Sequence, residues 1–531
     1  MRQAIRRKGG GVASQDGGAR VSTPYPRTPP TKGWVTNQNI AAMDEKAAVI
    51  LDNWFPEAED IRLRRGSFEF AALPSADPVR TIAVYESGGI TAVFAGQGEY
   101  IYDVTAGGAI TTPAVTGQNS DYYIGLNFAT IAGGSVLYLV NGVDDPQYYD
   151  GSVWTSPTIT GATASTFGYV FAYKYRLFFI ENGTADVWFL EEDQIQGEVK
   201  RLALGGLLKL GGTIVAGASM MVDSGFGPDD YCIFISSEGE VIAYNGTNPG
   251  IAESWSLRGV FRISRPIGNR CLLQIGSDIA VLCADGVISL TRSFQLDLAA
   301  SDKGSFSANI REAFSEQYAL TGSLRGWQLL SWPAAHMAVV NVPTTLDVAS
   351  QQYVMNVLTG AWSRYTGMSA SSFGLAQNTL YYGSTDGKVV IFERGNNDRG
   401  EDINAVAIPA FSNMKMAGQI KHVKNYQSFF KGSGSYSVGM NIAVDFNTND
   451  VAVTTQTPPL GSGSLWDSAL WDVATWATPN DVFVSWLGVA GQGYYLAPVI
   501  LATSTDDGSG ADSNCHFLAL NMLYEGGAVI G

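Results

Sequence analysis

Between Ile90 and Arg394 the chain repeats one arrangement of apolar and polar positions: an apolar strand, a turn holding Gly or Asp, and a second strand rich in aromatics. Copies read ITAVFAGQGEYIYDV from Ile90, SVLYLVNGVDDPQYYDGSVW from Ser135, YRLFFIENGTADVWFLE from Tyr175, YCIFISSEGEVIAYNG from Tyr231, DIAVLCADGVISLTR from Asp278 and TLYYGSTDGKVVIFER from Thr379. A looser copy runs from Met337 to Tyr365. Their first strands centre on Phe94, Tyr138, Phe179, Phe234, Val281, Val339 and Tyr381, at steps of 44, 41, 55, 47, 58 and 42 residues. Four-stranded propeller blades take roughly 40 to 50 residues each, with insertions. The pattern therefore predicts an all-β chain built on a β-propeller of six to eight blades, with seven hairpins in view.

The flanks differ. Residues 1–45 are rich in Gly, Pro and Arg, with PYPRTPP from Pro24 and no hydrophobic period, which predicts a flexible basic arm. The stretch from Ala47 to Ala71 follows, in which Ile61, Leu63 and Phe68 alternate as inward positions. A strand from one terminus commonly completes the last blade of a closed propeller, and this segment is expected to do so. Within the propeller, taken as residues 46–400, Ile310, Phe314 and Tyr318 recur four apart and predict a short helix over 307–318 between two blades. After the polar linker GNNDRGED from Gly395 the spacing changes to longer alternating segments, such as YSVGMNIAVDF from Tyr436 and CHFLALNMLYE from Cys515. These predict a C-terminal antiparallel, sandwich-like domain over 401–531. Inside it Trp466, Trp471 and Trp476 lie five residues apart, a spacing that suits neither a helix face nor a strand face. They belong either to the sandwich core or to a docking surface, because Trp is enriched in both.

Charge adds a contrast between the arm and the body. Through Lys32 the chain holds seven basic residues against Asp16 alone, a net +6, so the overall −16 leaves −22 for the remainder. An acidic body does not grip nucleic acid phosphate and suits either plain solubility or a surface that DNA slides past. The four cysteines, Cys232, Cys271, Cys283 and Cys515, have no CxxC spacing and read as small core residues. The N-terminus shows no apolar signal core and no stretch of about 18 apolar residues occurs, so cytoplasmic synthesis without a membrane-spanning segment is expected.

Candidate chemistry is sparse. His336, His422 and His516 are far apart, and no nucleophile-elbow, zinc-protease or phosphate-loop motif occurs. Glu191-Glu192-Asp193 and Asp229-Asp230 offer carboxylates, yet adjacent strand residues point to opposite faces and both runs end predicted strands. The run from Asp445 to Asp450 begins like a calcium loop and fails at its sixth and twelfth positions, Asp450 and Gln456. No catalytic residue, cofactor or metal is expected on these grounds.

Several phrases resemble a family: AVILDNWFPEAEDIRLRRGSFEF near the start, YKYRLFFIENGTADVWF and YVMNVLTGAWSRYTG in the blades, the tandem tryptophans, and LNMLYEGGAVIG at the end. They look like the tail nozzle, or tail tubular and packaged-DNA-stabilisation, proteins of short-tailed bacteriophages. The resemblance spans most of residues 45–531 and rests on diffuse phrases. It implies a non-enzymatic virion subunit, assembled in the host cytoplasm. Six copies would ring the DNA channel below the portal and adaptor and retain or release the genome, with tail fibres or spikes nearby and duplex DNA passing without sequence-specific binding. It also implies a role for the arm, whose Arg2, Arg6, Arg7 and Lys8 would dock on the partner ring or on DNA. The alternative is a soluble propeller enzyme or lectin acting on carbohydrate, with Glu191, Asp193, Asp229 or Asp230 as funnel-mouth acids.

Overall fold

The computed structural model describes residues 22–131, 133–223, 228–295, 305–434, 436–448, 454–456, 482–505, 512 and 514–529. Among the described residues the chain forms a β-propeller of seven blades, with additional sheets, one of which continues from a blade. Each predicted hairpin is the second and third strand of a different blade. Blade two shows the pattern, with Ile124–Ala129, Ser135–Val140, Gln147–Tyr149 and Trp154–Thr155 paired antiparallel in that order. The second strands read most clearly because neighbouring blades cover both of their faces. Ser135–Val140, Arg176–Glu181 and Asp278–Cys283 are buried at all but one position each, so they form continuous apolar runs.

The ring closes through contact between the innermost strands of blades seven and one, Ala370–Ala376 and Thr81–Ser87. A Cβ at Gly374 would overlap the Ile82 side chain, so only glycine lets these two strands meet. Blade seven is completed by Ser67–Ala72, which pairs antiparallel with Lys388–Phe392. The closing strand is thus the last part of the segment expected for it. Phe68 is exposed instead of inward, with the Arg394 guanidinium over its ring, on the strand added outside Lys388–Phe392.

The earlier part of that segment goes elsewhere. Ala47–Asp52 pairs antiparallel with Ile403–Pro409, and the hairpin Trp54–Pro56 with Ile61–Leu63 joins the long strand Asn514–Val529. Ile61 and Leu63 are buried as expected, but between sandwich sheets instead of blades. One sandwich sheet continues from blade six: Trp362–Tyr365 meets Gly33–Trp34 and Ala47–Asp52, then come Ile403–Pro409, Leu496–Ser504, Tyr436–Val444 and Thr454–Gln456. The other has the order Val482–Gly493, Gln419–Ser433, Asn514–Val529, Ile61–Leu63 and Trp54–Pro56, with Thr23–Arg27 also on Asn514–Val529. Strands from both chain ends therefore share these sheets, and part of the basic arm docks here, with the buried Arg27 donating to the Ala410 carbonyl.

A buried polar knot joins propeller and sandwich. Arg64, 1% exposed, donates to Asp398 Oδ1 at 3.0 Å, Asn53 Oδ1 at 2.8 Å and the Thr366 carbonyl at 2.9 Å. Arg62 pairs with Glu393 at 3.0 Å beside it. The helix forms between blades five and six as a 3-10 turn, Ala308–Ile310, followed by the α-helix Arg311–Thr321. It starts later than expected because the Ser307 hydroxyl is held by the Val287 amide of blade five. Ile310 and Phe314 face the core, where the Phe314 ring meets Tyr353 edge-on. No helix among the described residues is long and apolar enough to cross a membrane.

Candidate functional site

Two surfaces stand out: the propeller axis and the outer face of the sandwich. Along the axis, one end of the ring opens into a cavity of about 390 Å³, lined in part by Asn141, Asn182, Thr213, Asn269 and Arg325. A second widening of about 280 Å³ lies among Thr81, Gly125, Gln328 and Gly374 on the innermost strands and Arg270 just before that of blade five. Tyr169 and Asn269 line both.

Arg270 bars the passage. It enters from blade five and donates through Nη2 to Thr81 Oγ1 at 3.0 Å, on the first strand of blade one, and to the Tyr123 carbonyl at 2.8 Å, just before that of blade two. Its guanidinium lies 3.9 Å from the Tyr122 ring centroid, and that of Arg325 lies 5.9 Å from the same ring. Burial pushes the Arg270 guanidinium below its ordinary pKa range, opposed by Tyr122 and Asp121. Arg80 at the rim is already paired, with Asp121 at 2.8 Å and Asp347 at 3.0 Å. The axis is polar, cross-linked and small. Cavities of this size hold a small ligand, not a duplex whose major groove alone is about 12 Å wide.

The acids singled out as funnel-mouth candidates do not line this cavity. Asn182 follows the second strand of blade three and lines it, whereas Glu191 follows the third strand, Asp186–Phe189, whose antiparallel direction ends at the opposite face of the ring. Glu191 is held by Arg176 at 2.9 Å and Lys200 at 2.5 Å. Its pKa is lowered by the hydrogen bond from Lys200 first and Arg176 second, which suits a fixed anion and not a proton donor. Asp193 accepts the Ile131 amide. Asp230 lies early in Pro228–Ser236, also at that opposite face, and the side chain of Asp229 is outside the described residues.

The other sequence candidates divide similarly. Arg2, Arg6, Arg7, Lys8, Trp466, Trp471 and Trp476 all lie outside the described residues. Asp445 and Phe446 have φ of 47° and 68°, and Asp445 Oδ1 accepts the amides of Tyr494 and Tyr495 at 2.8 Å, so this start of a calcium-like run is a tight turn. All four cysteines are buried free thiols, and burial pushes Cys271 up to about 12.

The sandwich surface was not singled out from sequence. Val482–Gly493 borders its sheet and alternates buried Ser485, Leu487 and Val489 with outward Val482, Val484 and Trp486. Trp486 is 54% exposed. It stands opposite Gln427, and Val484 stands opposite the part-buried Phe429. The result is an apolar strip on an otherwise acidic protein. The signal was present in DVFVSWLGV, where the period of two assigns one face to Val482, Val484 and Trp486; nothing local tells which face is covered.

No protein-family model and no curated protein matches the sequence. Solved structures similar in fold include YCF48 from Cyanidioschyzon merolae, at 11% identity and TM-score 0.38 over 62% of this chain and 99% of that one. The computationally designed Ika8 protein aligns at 11% identity and TM-score 0.33, covering 61% and 99% of the two chains. The WD40 β-propeller domain of Doa1 aligns at 11% identity and TM-score 0.35, covering 62% and 97%.

Proposed function

We propose that the chain is a structural subunit of a phage tail nozzle, which assembles as a six-membered ring around the DNA path below portal and adaptor and retains or releases the genome. The observation that carries this reading is the outward apolar strip of Val482, Val484 and Trp486 on the sandwich. Trp in an exposed apolar patch is the residue type that anchors protein interfaces. A ring of subunits requires a heterologous contact of this kind, one patch meeting a different patch on the next copy. The barred axis supports the same reading from the other side, since DNA would pass between subunits and not through a propeller. The acidic body would line that path without holding phosphate.

Electron microscopy and native mass of the purified protein, with and without a portal–adaptor complex, test it. The expected particle is a six-fold ring with an axial channel, close to six times the 56.7 kDa of one chain. A particle that stays monomeric beside the adaptor overturns the proposal. A second reading, a carbohydrate-binding propeller, is favoured by the cavity of about 390 Å³ with its three asparagine side chains and Arg325. Glycan-array binding lost on Asn182→Ala, by a protein that forms no ring, would select it.

A further inference from the structure

Glu57 and Asp60 flank the tight turn between Trp54–Pro56 and Ile61–Leu63, where the Glu57 amide donates to the Asp60 carbonyl at 2.9 Å. His516 sits on the adjoining strand, opposite Arg62 in register. Ligand atoms of the three side chains all lie within 4.8 Å of one another. The geometry points to a binding site for one divalent transition-metal ion of the zinc class, held by Glu57, Asp60 and His516.

The imidazole carries the argument. Its Nε2 lies 2.8 Å from Asn514 Oδ1 and its Nδ1 lies 3.1 Å from Asp60 Oδ2. Both neighbours are acceptors. With Nε2 anchored on the Asn514 side chain, the ring turns Nδ1 toward Asp60 Oδ2, where one ion can take both atoms as ligands. A metal-bound imidazole has this arrangement, with the far N–H fixed by an oxygen acceptor. A second observation points the same way. Asp60 Oδ1 is buried with no hydrogen-bond donor, and a proton on Nδ1 leaves it so, whereas a metal ion takes either oxygen or both.

Bond lengths near 2.0–2.2 Å put tetrahedral zinc ligands about 3.3–3.5 Å apart, so His516 and Asp60, at 3.1 Å, would open by a few tenths of an ångström to admit the ion. Glu57, the most exposed of the three, closes the remaining distance. Arg62 Nε, 3.4 Å from Glu57 Oε1, competes for that carboxylate and also holds Glu393. One imidazole and two carboxylates leave a position for water. The ion would clamp a hairpin from the N-terminal region onto the C-terminal strand.

The test uses the full chain, stripped with a chelator and titrated with zinc chloride by calorimetry and by thermal unfolding. One ion per chain is expected, with a Tm rise of about 2 °C or more at zinc well above Kd, reversed by chelator. His516→Gln and Asp60→Asn abolish uptake, and Glu57→Gln weakens it about tenfold or more while leaving the metal-free Tm near that of the parent. Three results overturn the proposal: no uptake at about 1 mM zinc, the same uptake in all three variants, or a His516 ring that nuclear magnetic resonance shows doubly protonated at neutral pH and unmoved by zinc.

Discussion

The propeller axis and the outer face of the sandwich are opposite solutions to exposure. Around the axis the polar groups are tied to one another across blades: Arg270 reaches from blade five to blades one and two, and Arg80 bridges Asp121 and Asp347. On the sandwich, Val482, Val484 and Trp486 are left facing outward, although the same strand buries Leu487 and Val489 on its other side. A satisfied polar axis has little left to offer a large partner, whereas exposed apolar side chains gain from being covered. The difference is the reason for assigning the proposed assembly contact to the sandwich, with the propeller as the body that holds it.

That comparison requires the two bodies to move as one, and the Arg64 knot is where it breaks most easily. Asp398→Ala strips the counter-charge from a guanidinium that is 1% exposed, and loss of one partner of a buried pair costs about 3–5 kcal/mol. Chemical denaturation checks this, and a second transition that separates sandwich from propeller would sharpen it. Replacing both partners by apolar residues of similar size, Arg64→Met with Asp398→Leu, is expected to recover most of the loss. If the double variant is as unstable as the single, the knot acts through more than this pair.

Next in size is the apolar strip itself. If the strip is the proposed ring contact, Trp486→Ser is expected to weaken assembly by about 2 kcal/mol per contact, roughly thirtyfold, as truncation of an interface anchor does. The monomer's stability changes by no more than about 0.5 kcal/mol, because the side chain is mostly outside the core. Sedimentation and thermal melts separate the two. A loss of stability with assembly intact would make Trp486 a sandwich residue and remove the contrast between the surfaces.

How much of this was legible in the chain follows from the range of the interactions. Phe179, Tyr138 and Val281 announced their blades because a doubly covered strand is apolar at successive positions, a local signal. The first strands did not: Thr81, Gly125 and Gln328 face the axis with mixed chemistry, so their period is broken. Ile61 and Leu63 were read as inward, correctly, but the sheet that receives them is supplied by Asn514–Val529, far along the chain. The same holds for the sites. Arg270 meets Thr81 across 189 positions and His516 meets Asp60 across 456, and no periodicity links such pairs. The acids that were legible, Glu191 and Asp193, proved to be at the face away from the cavity, because a run of carboxylates states composition and not direction.

Removing the bar tests the axis directly and with a smaller effect. Arg270→Met gives up two hydrogen bonds from a charged donor and gains apolar packing, a net cost of about 1–2 kcal/mol in unfolding free energy. If DNA passes between subunits, the variant still assembles and any ejection rate measured on particles stays unchanged. Faster ejection in Arg270→Met would put the DNA path, or a gate on it, inside the propeller and reverse the assignment of the two surfaces.

The smallest expected effect lies at the cavity rim and has a definite sign with pH. Burial alone would raise the Asp144 pKa, but hydrogen bonds from the side chains of Asn119 and Asn141 and the amides of Asn119 and Ser120 outweigh it and hold the carboxyl below its usual range. A folded pKa below the unfolded value of about 3.9 means that the unfolded chain takes up the proton first as pH falls. Asp144 thus contributes its full stability above that value and loses it as pH falls through the lower, folded pKa. Because the group is partly exposed, the contribution is under about 1 kcal/mol. Asp144→Asn should flatten the acid limb of the stability profile below pH of about 4 and leave neutral stability lower by that small amount. An acid limb unchanged in the variant would show that the rim loop is not held by this carboxylate, and the polar rigidity ascribed to the axis would then stop at Arg80 and Arg270.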